Sequence, residues 1–266
     1  MITGTTKIFG VIADPIDHVR APMVFNPVFA ERGLDHVMLP FHIVPEHLDQ
    51  SIRGLASLPN LNGVCVTIPH KMTMAALCDD LGVAARLTGA VNAVRFENGK
   101  LYGDNFDGEG FVAGLYGEGH SLDGAHLLMI GAGGAARAIA AALAAQPIAS
   151  LTIANRTAAK AQEIVDILSP LYPNLSINSA ETSGLDGLVG DKDIIVNTTS
   201  LGLDEGDELP CQLDAVKPDA LIADIIMIPP VTAWMKDAEK KGLKTHAGKH
   251  MLDYQRDLIG QFIGAL

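Results

Sequence analysis

Leu127-Leu128-Met129-Ile130-Gly131-Ala132-Gly133-Gly134-Ala135-Ala136 opens the stretch, running on to Thr157, whose reading decides the fold. Its apolar start has the length of a strand buried on both faces. A glycine turn follows at once. An Ala/Leu/Ile segment of helical character then runs until Pro147 stops it, and Leu151-Thr152-Ile153-Ala154 resumes a strand before Asn155-Arg156-Thr157. Strand, glycine turn, helix and strand in this order make the βαβ unit that binds dinucleotides. Gly131, Ala132, Gly133, Gly134 and Ala135 let the backbone approach a pyrophosphate lying on the N–H groups of the helix start.

The end of the second strand is where the ribose of such a cofactor belongs. NAD-binding chains usually carry Asp or Glu there to hold the 2′-hydroxyl. Here Asn155, Arg156 and, a few residues on, Lys160 occupy the region. A carboxylate would repel a 2′-phosphate, whereas a guanidinium binds one in two-pronged fashion. The cofactor predicted is therefore NADP. Arg156 as a solvated charge and Thr157 as a helix N-cap is the plainer alternative, and the two readings are compatible.

The rest of the chain supports an α/β protein. At 266 residues it has room for one large domain or two of ordinary size. Its mean hydropathy of +0.24 indicates a well-filled core, yet no apolar run approaches the ~20 residues of a membrane span. The N-terminus, Met1 to Lys7, lacks the basic and apolar regions of a signal peptide. A net charge of −12 argues against nucleic acid or an anionic membrane as partner. Cys65, Cys78 and Cys211 are odd in number and widely spaced, which fits a reducing cytoplasm better than a disulfide framework or a zinc site.

Ahead of the glycine turn, strand and helix signals alternate. Strands are predicted at Ile8–Ile12, Val37–Leu39 and Gly63–Thr67, helices from Pro22 to Gly33 and from Pro45 to Leu58, and a hairpin from Val94 to Tyr102 around Asn98-Gly99. The alternation implies a mostly parallel sheet. The glycine-rich region Gly103–Gly119 is read as the crossing into the next domain. Strands at Asp193–Asn197, Leu221–Ile225 and Leu243–His246 complete the cofactor sheet.

Lys71, Asn92 and Asp107 sit at predicted element ends, in loops, where α/β folds place their ligands. Singly, they also read as a surface lysine, a turn asparagine and a turn aspartate. His246 and His250 are four apart, but Ala247-Gly248 between them is a poor helix interior and no acidic ligand follows in register, so no metal is expected.

Taken together these segments resemble the shikimate dehydrogenase family over essentially the whole chain. The carriers are Ala13-Asp14-Pro15-Ile16-Asp17-His18, Val66 to Lys71, Gly89 to Asn92, Asp104 to Gly108, Asn155 to Thr157 and Gly248 to Gln255. The resemblance implies a two-domain α/β fold: a substrate domain over 1–107 to which 248–266 return, and a Rossmann-type NADP-binding domain over 108–247. It implies reversible hydride transfer between NADP(H) and a ring alcohol or ketone of shikimate/3-dehydroshikimate or a related cyclic polyol. Lys71 and Asp107 match the family's catalytic pair; which of them carries the proton is left open. Thr67, Asn92 and Gln255 match residues that bond substrate hydroxyls. Gly131 to Ala135 match the cofactor loop, Asn155, Arg156, Thr157 and Lys160 the 2′-phosphate clamp, Thr199 and Ser200 a Thr-Ser beside the cofactor, and Gly248 a glycine near the nicotinamide. A small-molecule substrate, with the chain a monomer or homodimer, completes the expectation.

The chain departs from the family on one side of the pocket. Val19 and Ala21 replace the Ser-x-Ser that holds the substrate carboxylate, Met227 replaces a tyrosine on the same side, Cys65 an asparagine, Phe106 a threonine, and Phe25 a histidine. Arg20 is either a new carboxylate partner or a solvated charge. Two alternatives stay open: shikimate or quinate oxidation with a remodelled carboxylate site, and a nucleotide-binding sensor without turnover.

Overall fold

The structure, a computed structural model, describes residues 2–17 and 19–266. His18, part of the first matched motif, lies outside the described residues. The chain forms two compact units, Met1–Phe106 with Gln255–Leu266, and Asp107–Tyr254. Residues 248–254, expected with the first unit, group with the second.

The first unit runs β1 (Lys7–Ala13), α1 (Ala21–Glu31), β2 (His36–His42), a 3₁₀ turn Pro45–His47, α2 (Leu48–Ala56), β3 (Leu61–Val66), α3 (Lys71–Leu77), β4 (Asp80–Leu81), α4 (Val83–Thr88), β5 (Ala93–Glu97) and β6 (Lys100–Asp104). Its six strands lie in the order β2-β1-β3-β5-β6-β4. Parallel pairing holds for β1 with β2, β1 with β3 and β4 with β6, but β5 is antiparallel to both β3 and β6. The sheet is thus more mixed than the alternation implied, because a hairpin has no crossover helix to restore direction. Asn98 and Gly99 at its tip both have positive φ, 53° and 75°, the geometry that an Asn-Gly pair favours. Ile12, Val64, Met74 and Val91 pack one face of the sheet, and Phe9, Phe25, Phe29 and Met38 the other.

The second unit contains α5 (Asp107–Gly117), β7 (His126–Ile130), α6 (Gly134–Ala144), β8 (Ser150–Asn155), α7 (Ala158–Leu168), β9 (Ser176–Glu181), a 3₁₀ segment Thr182–Gly187, β10 (Ile194–Asn197), β11 (Leu221–Asp224), α8 (Ala233–Lys240), β12 (Lys244–His246) and the start of α9 (Lys249–Phe262), whose last eight residues belong to the first unit. The strand order β12-β11-β10-β7-β8-β9 is parallel throughout. The order reverses between β7 and β10, so the crevice beyond their C-terminal ends is where this topology binds ligands.

Elements that escaped the sequence reading include β4, α4, α8 and the two that follow. Gly103–Gly119, expected as a crossing, contributes the end of β6 and all of helix α5. Its glycines serve helix packing: a Cβ on Gly108 would lie 2.0 Å from the Ala138 carbonyl oxygen of α6. Strand β9 has only Ile177 fully buried, so it carries no apolar pattern to detect. No helix among the described residues is long and apolar enough to cross a membrane.

Candidate functional site

In the first unit the singled-out residues gather at the C-terminal edge of β1 and β3. Thr67 follows β3 directly, its N–H donating to the Ile12 carbonyl at 3.1 Å. Lys71 was expected in a loop but is the first residue of α3, half-buried, and its carbonyl accepts the Val91 N–H at 2.9 Å. His70 ahead of it is 1% exposed and bonds the Ile43 carbonyl through Nε2 at 2.7 Å, which anchors the start of that helix.

Asn92 lies between α4 and β5, buried at 3% exposure. Its Nδ2 donates to Gln255 Oε1 at 3.1 Å and its Oδ1 accepts the Phe106 N–H at 2.9 Å. Its N–H and carbonyl meanwhile bond Asp104 and Val66, at 3.0 and 2.7 Å. Through its side-chain amide and its backbone, Asn92 therefore ties together the ends of β3, β5 and β6 and helix α9. Asn105, buried beside it and missed by the sequence reading, donates to the Ala90 carbonyl at 3.2 Å. Its signal was its place between Asp104 and Asp107 in a matched motif.

Phe25, Cys65 and Phe106 are buried in one hydrophobic cluster, and Val19 and Ala21 pack against it. Burial pushes the Cys65 thiol up to about 12, so it stays protonated at neutral pH.

In the second unit the glycine turn has the properties a pyrophosphate needs. Gly131 adopts φ +117°, and a Cβ there would lie 2.5 Å from Thr198 Oγ1, so only glycine fits. Gly133 and Gly134 face open space. Helix α6 starts at Gly134 with no side-chain cap and no acidic residue in its first turn, leaving its N–H groups and positive end for an anion. Ala132 is buried and Ala135 half-buried beside them.

Past β8, Asn155 Nδ2 donates to the Thr157 carbonyl at 2.9 Å and so shapes the turn that carries Arg156. Arg156 and Lys160 are exposed, and neither forms an ion pair with a described residue. Thr157 does stand at the N-cap position of α7, but its side chain makes no capping hydrogen bond. The residues fit a cofactor bearing a 2′-phosphate.

The loop after β10 depends on Asp224, a fully buried carboxylate that the sequence reading passed over. It accepts from Asn197 Nδ2 at 3.2 Å, the Ile226 N–H at 3.0 Å and Thr232 Oγ1 at 2.9 Å. Burial nevertheless raises its pKa, since desolvation outweighs these donors. Asn197 Oδ1 in turn accepts from the N–H and hydroxyl of Thr199, at 3.0 and 2.7 Å, with Ser200 exposed next to it. Gly248 packs against the following loop: a Cβ would sit 2.5 Å from backbone atoms of Ile225 and Ile226, the turn leading to half-buried Met227. Asp107, expected in a loop, opens helix α5 and is buried.

His246 and His250 do not share a helix, one ending β12 and the other in α9, yet their rings lie 5.0 Å apart. His120 joins them at 5.4 Å from His246. No group of three or more His, Cys, Asp or Glu among the described residues is arranged to hold a metal. His246 is 2% exposed, with neither ring nitrogen hydrogen-bonded, and burial first, then its histidine neighbours, drives its pKa down to about 3. The folded state thus holds the neutral ring. Below the unfolded value of ~6.5 only the unfolded chain takes up this proton, so stability falls with pH between about 6.5 and 3, by up to ~1.4 kcal/mol per unit. Urea unfolding at pH 7.5 and 5.5 should show that loss shrinking by about 1 kcal/mol in His246→Phe; equal losses in both proteins would refute it.

Residues 11–94 match the model of the shikimate dehydrogenase substrate binding domain, and residues 116–202 that of shikimate / quinate 5-dehydrogenase. Shikimate dehydrogenase (NADP+) of Rubrobacter xylanophilus is 39% identical over 256 residues, covering 96% of this chain and 89% of the relative. The crystal structure of shikimate 5-dehydrogenase from Listeria monocytogenes with shikimate and NAD is 30% identical, with a TM-score of 0.92 over 100% of this chain and 94% of that one. A 5-ketofructose reductase of Gluconobacter is also 30% identical, with a TM-score of 0.86 over 97% and 92%. With both units matched separately and relatives aligned almost end to end, the chain belongs to the shikimate dehydrogenase family.

Proposed function

We propose that the protein is an NADP-dependent alcohol dehydrogenase that interconverts a ring alcohol and its ketone, in shikimate/3-dehydroshikimate or a related cyclic polyol. The observation that carries this reading is the polar group of Thr67, Lys71, Asn92 and Gln255 at one edge of a unit matching a substrate-binding model, in a chain whose other unit is a fully parallel dinucleotide sheet.

Bound NADP+ would supply the hydride acceptor that oxidation of the carbinol to the ketone requires. The hydroxyl proton must leave in the same reaction, and we assign Lys71 and Asp107 to it, as base toward the alcohol and acid toward the ketone. Asn92 and Gln255, held by their mutual hydrogen bond, and Thr67 are assigned to the remaining hydroxyls, and Val19, Ala21 and Met227 are assigned to the substrate with them. Substrate is assigned to the unit containing residues 1–106, and NADP to that containing 107–254. There Gly131 to Ala135 would hold the pyrophosphate, Asn155, Arg156, Thr157 and Lys160 the 2′-phosphate, and Thr199, Ser200 and Gly248 the nicotinamide end. We place the protein in the cytoplasm as a monomer or homodimer, with neither nucleic acid nor membrane as partner; three free cysteines and the acidic balance support this.

The test is NADP reduction by shikimate, quinate and carboxylate-free cyclic polyols. Binding of NADP with no turnover on any of them would overturn the reading. A second measurement bears on the clamp: Arg156→Ala should weaken NADP binding by roughly 1.5–3 kcal/mol, the scale of a hydrogen bond to a charged group, and leave NAD binding almost unchanged. Equal losses for both cofactors in titration calorimetry would remove Arg156 from that role.

A further inference from the structure

We infer that Asn197 is a positioning residue for the dinucleotide: held by Asp224, its buried side chain presets the loop of residues 198–201, on which the half of the cofactor beyond the pyrophosphate rests. The inference rests on the NADP-binding part of the reading above and adds a residue to which that reading gives no role.

Strand order places that half. The basic ribose region follows β8 and the glycine turn follows β7, while β10 lies on the other side of β7. A dinucleotide spanning the crevice where the order reverses therefore carries its second half over the end of β10. Ile130, Asn197 and Asp224 lie side by side in register at the ends of β7, β10 and β11. The loop that leaves β10 folds back toward the glycine turn, its Thr198 N–H and hydroxyl both donating to the Ile130 carbonyl at 2.8 Å.

Asn197 sets the path of this loop. Its Oδ1 accepts from the N–H and hydroxyl of Thr199, at 3.0 and 2.7 Å, which makes an Asx turn. Its Nδ2 donates to the Leu201 carbonyl at 3.0 Å and to Asp224 Oδ1 at 3.2 Å. These bonds use both lone pairs and both N–H groups of the amide, and the residue is 0% exposed. The side chain keeps nothing for a ligand and acts on one only through the loop. The Thr199 hydroxyl extends the tie by accepting the Leu201 N–H at 3.1 Å. Asp224 fixes which way the amide points, since a flipped amide would aim its oxygen at a carboxylate that can only accept. With the loop ordered beforehand, binding does not bear the cost of ordering it.

The experiment titrates NADP, and separately adenosine 2′,5′-bisphosphate, into the protein by calorimetry; the bisphosphate is the half of the cofactor that carries the 2′-phosphate. Asn197→Ala removes the ties and should weaken NADP at least ~10-fold, because ordering the released loop then falls on binding, while bisphosphate affinity stays within about twofold. Asn197→Asp combined with Asp224→Asn exchanges amide and carboxylate. It keeps the Asx-turn acceptor and a hydrogen bond between the two positions, and should bind NADP at least ~3-fold tighter than Asn197→Ala, the scale of one such bond. Unchanged NADP affinity in Asn197→Ala overturns the inference, and so does an equal loss of both ligands, which marks general damage to the unit. A folded double variant no better than Asn197→Ala overturns the part given to Asp224. Should Asn197→Ala not fold, hydrogen exchange on the unaltered protein decides: a Thr199 amide protected without NADP supports the preset loop, and one protected only with NADP overturns it. An unaltered protein that binds neither ligand overturns the NADP reading itself, and the inference with it.

Discussion

Lys71→Ala should lower kcat by roughly 10²–10⁴-fold on the best substrate, the usual scale for losing a general acid/base. The hydroxyl proton must leave as the hydride does, and Lys71 is assigned to that proton together with Asp107. Two features make the variant a clean test. Lys71 opens α3, and it is its carbonyl, not its side chain, that accepts the Val91 N–H, so the local backbone keeps its hydrogen bonds. Alanine is also a better helix former than most residues at such a position. NADP affinity, assigned to the other unit, should stay within about twofold, a change worth only ~0.4 kcal/mol. A variant within threefold of the parent kcat would take Lys71 out of the mechanism.

Asp224→Leu should destabilise the second unit by roughly 3–5 kcal/mol, the upper range for a single substitution. Leucine keeps the branched shape at a larger volume, strands the Ile226 N–H and the Thr232 hydroxyl, and leaves the Asn197 amide only the Leu201 carbonyl, where all three donors now meet this carboxylate in a fully buried place. Each unpaired buried group costs about 1–3 kcal/mol. Thr232 also caps α8 by accepting the Met235 N–H at 3.3 Å, so the damage extends to that helix. Asp224→Asn keeps one acceptor and should cost less than half as much. Urea unfolding followed by Trp234 fluorescence measures it, because that side chain lies in the same unit, buried and bonded to the Cys211 carbonyl at 3.0 Å. A loss under about 1 kcal/mol for the leucine variant would show that water replaces the carboxylate.

The βαβ unit was legible because its signals are local. Glycine at Gly131 follows from a backbone angle that other residues resist, and the absence of an acidic residue after β8 follows from the charge a 2′-phosphate carries. The Asn-Gly hairpin was legible for the same reason. Strand β9 was not, since a strand with one buried residue leaves no period to read, and Gly108 and Gly114 in helix α5 looked like a linker because close helix packing leaves no mark on composition.

By itself the sequence determined the alternation of strands and helices, the glycine turn with its basic ribose region, and which residue types could move a proton or bond a hydroxyl, all of which depend on neighbours within a few positions. Tertiary structure alone decided how those residues are held. It joined Asn92 to Gln255 across 163 positions and made Asp224 the hub of two loops. It gathered Val19, Ala21, Cys65 and Phe106 into one apolar cluster, and brought His120 to the rings of His246 and His250. Burial and hydrogen-bond partnership are properties of packed space, set by which strand ends meet at a sheet edge, and that order is written in no short stretch of the chain.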